Sequence, residues 1–141
     1  NYFKLFLFDT DLLKHMAGID NSAILLKSDY QYKGALTENY VLQQLKWQFE
    51  VEPRFFADGK SKIDFLIQNG TQIIPVEVKG GEDKSVASLK SYIKNKQPQT
   101  AVCISKRGYA TDGGITNLPL YLAVIANKLI WPMQRSTVLG S

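Results

Sequence analysis

Short apolar blocks at 3–8, 63–67, 73–78 and 101–104 alternate along the chain with two stretches in which apolar residues recur every three or four positions. Blocks of that length predict strands, and the longer spacing predicts helices. FKLFLF at 3–8 reads as a strand. LLKHMAG then reads as a short helix capped by Asp9 or Thr10 and stopped at Gly18. Residues 19–33 are mixed and polar with a weak helical signal, and form the first flexible connection. Gly34 opens the clearest helix, ALTENYVLQQLKWQF, with Leu42, Leu45 and Phe49 on one stripe and Val41 beside it. Glu52-Pro53 ends that region, RFFA reads as a short strand and DGKSK as a turn. IDFLI and QIIPVEV flank QNGT, and Asn-Gly between apolar runs predicts a hairpin. GGED is a loop, and SVASLKSYIKN is an amphipathic helix with Val86, Leu89 and Ile93 on one face, closed by Gln97-Pro98. TAVCIS is a buried strand, KRGYATDGG a loop, and NLPLYLAVIANKLIW an apolar segment with no decisive period. The order helix–strand–hairpin–helix–strand predicts a single α/β domain, a mixed sheet with helices against it.

The hairpin raises the chemical question, because it carries Asp64, Glu77 and Lys79. With Asn69-Gly70 as a two-residue turn, Gln68 faces Thr71 and Asp64 faces Pro75. Side chains repeat every second residue, so Asp64, Pro75, Glu77 and Lys79 share a face while Val76 and Val78 point into the core. Glu77 is then the diagonal neighbour of Asp64. Pro75 falls at a hydrogen-bonded position it cannot fill, so the strands are expected to part or bulge there. Two carboxylates at such an opening suit a hard divalent cation, which takes one or two carboxylates and leaves room for phosphate oxygens. A lysine beside them orients a water or offsets charge on phosphorus. The alternative is a surface salt bridge on the outer face of the hairpin. Glu38 adds a third acid, since it precedes Leu42, Leu45 and Phe49 on the core-facing stripe. Its alternative is a favourable interaction with the start of its own helix.

Composition narrows the classes without choosing among them. The chain has 141 residues, 45% hydrophobic and 21% charged, with a net charge of +4, as expected for an ordinary globular domain that tolerates a polyanionic partner. Cys103 is the single cysteine, set in an apolar run, so it reads as a buried, inert thiol in a reducing compartment. No segment approaches the ~20 apolar residues of a membrane span. The expected location is cytoplasmic, with no membrane partner. One cysteine and one histidine, His15, cannot close a zinc shell. Neither a G-x-S-x-G elbow nor a G-x-x-x-x-G-K-[ST] loop occurs, so the chain has no ATP site of its own. Lys90 and Lys94, one helical turn apart, and Lys60 and Lys62 ahead of Asp64 form an expected nucleic-acid-binding rim, with Lys84 and Lys96 nearby. The plainer alternative is a solvated surface. Trp47 and Trp131 read as base-stacking, core or partner-interface residues.

An acid on a first helix followed by Asp64 and Glu77-x-Lys79 resembles the PD-(D/E)XK nuclease superfamily. More closely, KLFLFDTDLL, KGALTENYVLQQL, SKIDFLIQNGTQIIPVEVKGG and NLPLYLA resemble the C-terminal domain of unknown function of bacterial and archaeal AAA-type ATPases. The resemblance implies a restriction-endonuclease-like fold, a mixed sheet flanked by helices. It divides the chain into a strand-and-helix lead-in (1–33), a nuclease-like core (34–123) and a C-terminal tail without an assigned role (124–141). Asp64, Glu77 and the carbonyl of Val78 would hold Mg²⁺ or Mn²⁺, Lys79 would serve the attacking water, and Glu38 would contribute through a water or a second metal. The partners implied are nucleic acid and an upstream ATPase module, with self-association left open. Two functions follow: metal-dependent hydrolysis of nucleic acid, or a catalytically inactive module of the same fold that binds DNA or docks its ATPase.

Overall fold

The computed structural model describes Phe6 and residues 33–49, 54–58, 61–81 and 85–130. Apart from Phe6, the strand expected at 3–8 and the helix after it lie outside the described residues, as do His15, Lys60, Lys84 and Trp131.

The described residues form a mixed α/β domain. Its six-stranded sheet has the order β1-β2-β3-β4-β6-β5. β1 (Arg54–Asp58), β2 (Ser61–Asn69) and β3 (Gln72–Lys79) form an antiparallel meander. β3, β4 (Ala101–Ser105) and β6 (Ile115–Pro119) run parallel, and β5 (Ala110–Asp112) returns antiparallel to β6 at the edge. Helix α1 (Lys33–Phe49), a 3₁₀ helix (Leu120–Ile125) and α3 (Ala126–Ile130) cover one face, where Val41 and Leu45 meet Val76, Val78, Val102, Ile104 and Leu118. Helix α2 (Ala87–Lys96) covers the other, packing Leu89 and Tyr92 on Ile63, Ala101 and Cys103. Each fully buried Val, Leu or Ile contributes roughly 1.5–3 kcal/mol, so both layers are needed. The α1 stripe is centred on Val41 and Leu45, with Leu42 and Phe49 at its flanks.

Two expectations are corrected by the topology. KRGYATDGG is not all loop: Ala110–Asp112 is a strand, and Gly113 and Gly114, both at positive φ, turn the chain into β6. That pair suits a primed two-residue turn. ITNLP is therefore a strand buried on both faces, despite its polar centre. Its burial is tolerable because Thr116 hydrogen-bonds Thr111 and Asn117 bonds Ser105. Residues 126–130 also join the core, through Ala126 and Ile130.

The β2–β3 register is the second correction. Asn69 pairs with Gln72 and Leu66 with Pro75, so the turn residues are Gly70 and Thr71 rather than Asn69 and Gly70. Gly70 has φ +58°, which glycine adopts without the steric cost of a Cβ. Pro75 then falls at a non-hydrogen-bonded pair, its ring nitrogen turned toward β4, one residue before the β3–β4 ladder starts at Val76. No bulge is needed at Pro75. Sliding the pairing by two residues keeps every side chain on its face and moves the continuation of the register from Asp64–Pro75 to Asp64–Glu77.

Candidate functional site

A bulge in β2 starts the site. Arg54 pairs with Leu66 and Phe56 with Ile63, so two steps along β1 span three along β2. The extra residue lies at Asp64–Phe65. Its effect shows in the core: Ile63 joins the α2 side and Phe65 the α1 side, although a regular strand puts residues two apart on one face. The β2–β3 ladder ends at Phe65–Val76. Val78 lies beyond that last pair, and its N–H donates to Asp64 Oδ2 at 2.8 Å. The Asp64 carboxylate thus replaces a strand carbonyl and wedges the two strands apart. Because N–H and C=O of one strand residue project to the same side, the Val78 carbonyl also faces this gap.

Glu77 lies between the two, on the α2 side, and is 5% exposed. Its Oε1 is 2.9 Å from Lys79 Nζ, and its buried Oε2 has no hydrogen-bond partner of full geometry among the described residues. Burial pushes the Glu77 carboxyl above its ordinary value; Lys79 pulls it down, Asp64 pushes it up, and a hydrogen bond from the Leu89 amide in the first turn of α2 lowers it. Loss of water outweighs the ion pair. A buried acceptor left unsatisfied costs about 1–3 kcal/mol, so this oxygen is an expensive feature of the fold.

The surroundings are polar in a patterned way. Glu77, Cys103 and Asn117 form one row across β3, β4 and β6, and Lys79 and Ser105 stand side by side two residues on. Both rows end at the carboxyl edge of the parallel strands, where open α/β sheets receive ligands. Asn117 accepts from Ser105 Oγ at 2.7 Å and donates to the carbonyls of Arg107 and Gly108 at 3.2 and 2.8 Å. Ser105 Oγ in turn accepts the Arg107 N–H at 3.2 Å. Cys103 is fully buried, as its setting implied, and burial raises its thiol. The Glu77 charge adds to that rise, while a hydrogen bond and charge from Arg107, and the charge of Lys79, oppose it.

The structure therefore brings Asp64, Glu77, Val78 and Lys79 together. Glu38 is half-buried on α1, whose core residues pack on the opposite face of the sheet from Glu77. Lys62, Lys90 and Lys94 are exposed, on β2 and α2. Trp47 is 87% exposed and takes no part in the core. Arg107, Ser105 and Asn117 were not legible as site residues. Their only signal was a Lys-Arg-Gly immediately after a buried strand, and nothing local ties that loop to Asn117.

The donor set fits a hard cation and no soft one. Among the described residues no three His, Cys, Asp or Glu side chains gather, which excludes a tetrahedral nitrogen–sulfur cage there. Two carboxylates, of Asp64 and the buried Glu77, and the Val78 carbonyl are donors of the kind that Mg²⁺ or Mn²⁺ take while keeping several waters. Among the described residues no helix is long and apolar enough to cross a membrane. A family model described as Domain of unknown function (DUF4143) matches residues 33–123. No curated protein and no solved structure matches the chain.

Proposed function

The chain belongs to the DUF4143 family, a domain of unknown function, and we propose that its Asp64–Glu77–Lys79 cluster hydrolyses phosphodiester bonds of nucleic acid with the help of a divalent cation. One observation carries this reading: the buried Glu77 carboxylate beside Asp64, with an ammonium group on one oxygen and no partner of full geometry among the described residues on the other. A bound Mg²⁺ or Mn²⁺ would supply Lewis acidity at the phosphoryl oxygens. Asp64, Glu77 and the Val78 carbonyl would hold it. Lys79 orients the attacking water and offsets negative charge on phosphorus as one P–O bond forms and another breaks. Glu38, on the helix that covers the other face of the sheet, would contribute in this reading only as an outer acid, through a water or a second metal. A restriction-endonuclease-like fold and a neighbouring ATPase module belong to the same proposal.

A second reading is a module of the same shape without turnover. The 2.9 Å ion pair favours it, because Lys79 already balances Glu77 without any cation. Mn²⁺-soaked crystals and a cleavage assay on single- and double-stranded DNA and RNA decide between them. The enzyme reading expects an anomalous peak between Asp64 and Glu77, and cleavage that Lys79→Ala abolishes while the fold is kept. Cleavage unchanged in Lys79→Ala would refute it. No peak and no cleavage would leave the inactive module.

A further inference from the structure

The polar knot at the end of β4 spends two buried side chains on holding one loop. Ser105 and Asn117 are both buried, and their hydrogen bonds reach the Arg107 N–H and the carbonyls of Arg107 and Gly108. A network satisfied at this many points has a single geometry. It fixes the chain directly after Ser105, the neighbour of Lys79. Arg107 is exposed, and its backbone is held at both its N–H and its C=O, two residues beyond Ser105, the neighbour of Lys79. Its charge opposes the rise of the buried Cys103 thiol, in agreement with a guanidinium on the side of the carboxylate row away from Asp64. A guanidinium carries five donors in a planar fork.

We propose that Arg107 is an anion-binding residue of this site, and that it takes two non-bridging oxygens of a phosphodiester held across the ends of β3 and β4. A planar fork matches two phosphate oxygens, whereas Lys79 offers only a point charge. Arg107 and Lys79 are then divided in role: the first seats the phosphate, the second serves the water. The assignment of the phosphate to nucleic acid rests on the proposed function above. The buried knot fixes, before the ligand arrives, the backbone from which the fork extends. A loop that needed ordering would lose affinity to that ordering.

The experiment is equilibrium binding of a single-stranded oligonucleotide with non-hydrolysable linkages, metal-free and at several salt concentrations. Wild type is compared with Arg107→Ala, Arg107→Lys and Lys128→Ala. Arg107→Ala is expected to lower the salt slope by about 0.7, the loss of one phosphate contact on a single strand. Arg107→Lys should keep the slope while weakening binding severalfold, since charge is retained without the fork. Lys128→Ala, exposed on α3 over the other face of the sheet, controls for general surface charge, and unchanged melting temperatures separate binding from structure. An Arg107→Ala slope and affinity equal to wild type would overturn the proposal. So would a loss no larger than that of Lys128→Ala. Mn²⁺ binding and cleavage by wild type report on the proposed function separately, so either idea can fail alone.

Discussion

Replacing Asp64 by alanine tests the wedge between β2 and β3. The Val78 N–H is buried and donates to a carboxylate at 2.8 Å, a charge-assisted bond of about 1.5–3 kcal/mol. β2 has already bulged away at this point, so no strand carbonyl stands ready to replace it. Two effects reduce the loss. Asp64 is itself half-buried, which lets water reach part of the gap, and its removal relieves the repulsion that raises the Glu77 carboxyl. We expect a net destabilisation of about 1.5–2 kcal/mol, up to roughly 30-fold in the folding equilibrium. Asp64→Asn keeps a neutral acceptor and should cost about half as much. Urea unfolding measures the first quantity, with an unchanged slope showing that the folded state is intact. Native-state exchange of the Val78 amide measures the second, and should accelerate locally in Asp64→Ala. If that variant lay within 0.5 kcal/mol of wild type (about the scatter of neutral surface changes) with Val78 exchange unaltered, the wedge would be wrong.

Three further outcomes are expected. The Glu77 carboxyl is raised in the fold, so the folded state binds more protons than the unfolded one above the ordinary value of roughly 4.3; stability from this group is full below that pH and falls as pH rises through the raised folded value. Glu77→Gln, a mimic of the protonated form, should therefore melt higher than wild type at pH 7 in chelator and show little difference near pH 4, by calorimetry. Asn117→Ala removes three hydrogen bonds from a buried position and leaves the Arg107 and Gly108 carbonyls without that donor, so a loss of about 2–3 kcal/mol is expected in denaturant unfolding. Gly70→Ala places a Cβ at φ +58° in open space, so the cost is conformational alone, about 1 kcal/mol, checked by the same unfolding measurement.

The hairpin shows how far local pattern carries. Its two apolar runs and the Asn-Gly between them identified the strands, and the period of two placed Glu77 and Lys79 opposite to Val76 and Val78. Even the misplaced turn did no harm to that assignment, because the pairing slid by an even number of residues. Pro75 was misread for a related reason. Whether a proline offends a ladder depends on which neighbour its nitrogen faces, and that follows from the register rather than from the residue.

The strand β6 shows the opposite case. Nothing in ITNLP marks a strand buried on both faces, because Thr116 and Asn117 become acceptable there only through Thr111 and Ser105 on neighbouring strands. The same holds for the loop that carries Arg107, fixed by a side chain ten residues further along.

Sequence alone therefore determined helices α1 and α2, strands β1 to β4, the two-faced hairpin and the presence of two acids and a lysine at its open end, since backbone periodicity and turn chemistry act over a few residues. Tertiary structure decided what those acids experience. Pairing with β1 put the bulge at Asp64, packing of α2 removed water from Glu77, and β6 anchored Arg107 beside them. Desolvation and strand pairing join residues far apart in the chain, so no stretch of the sequence contains them.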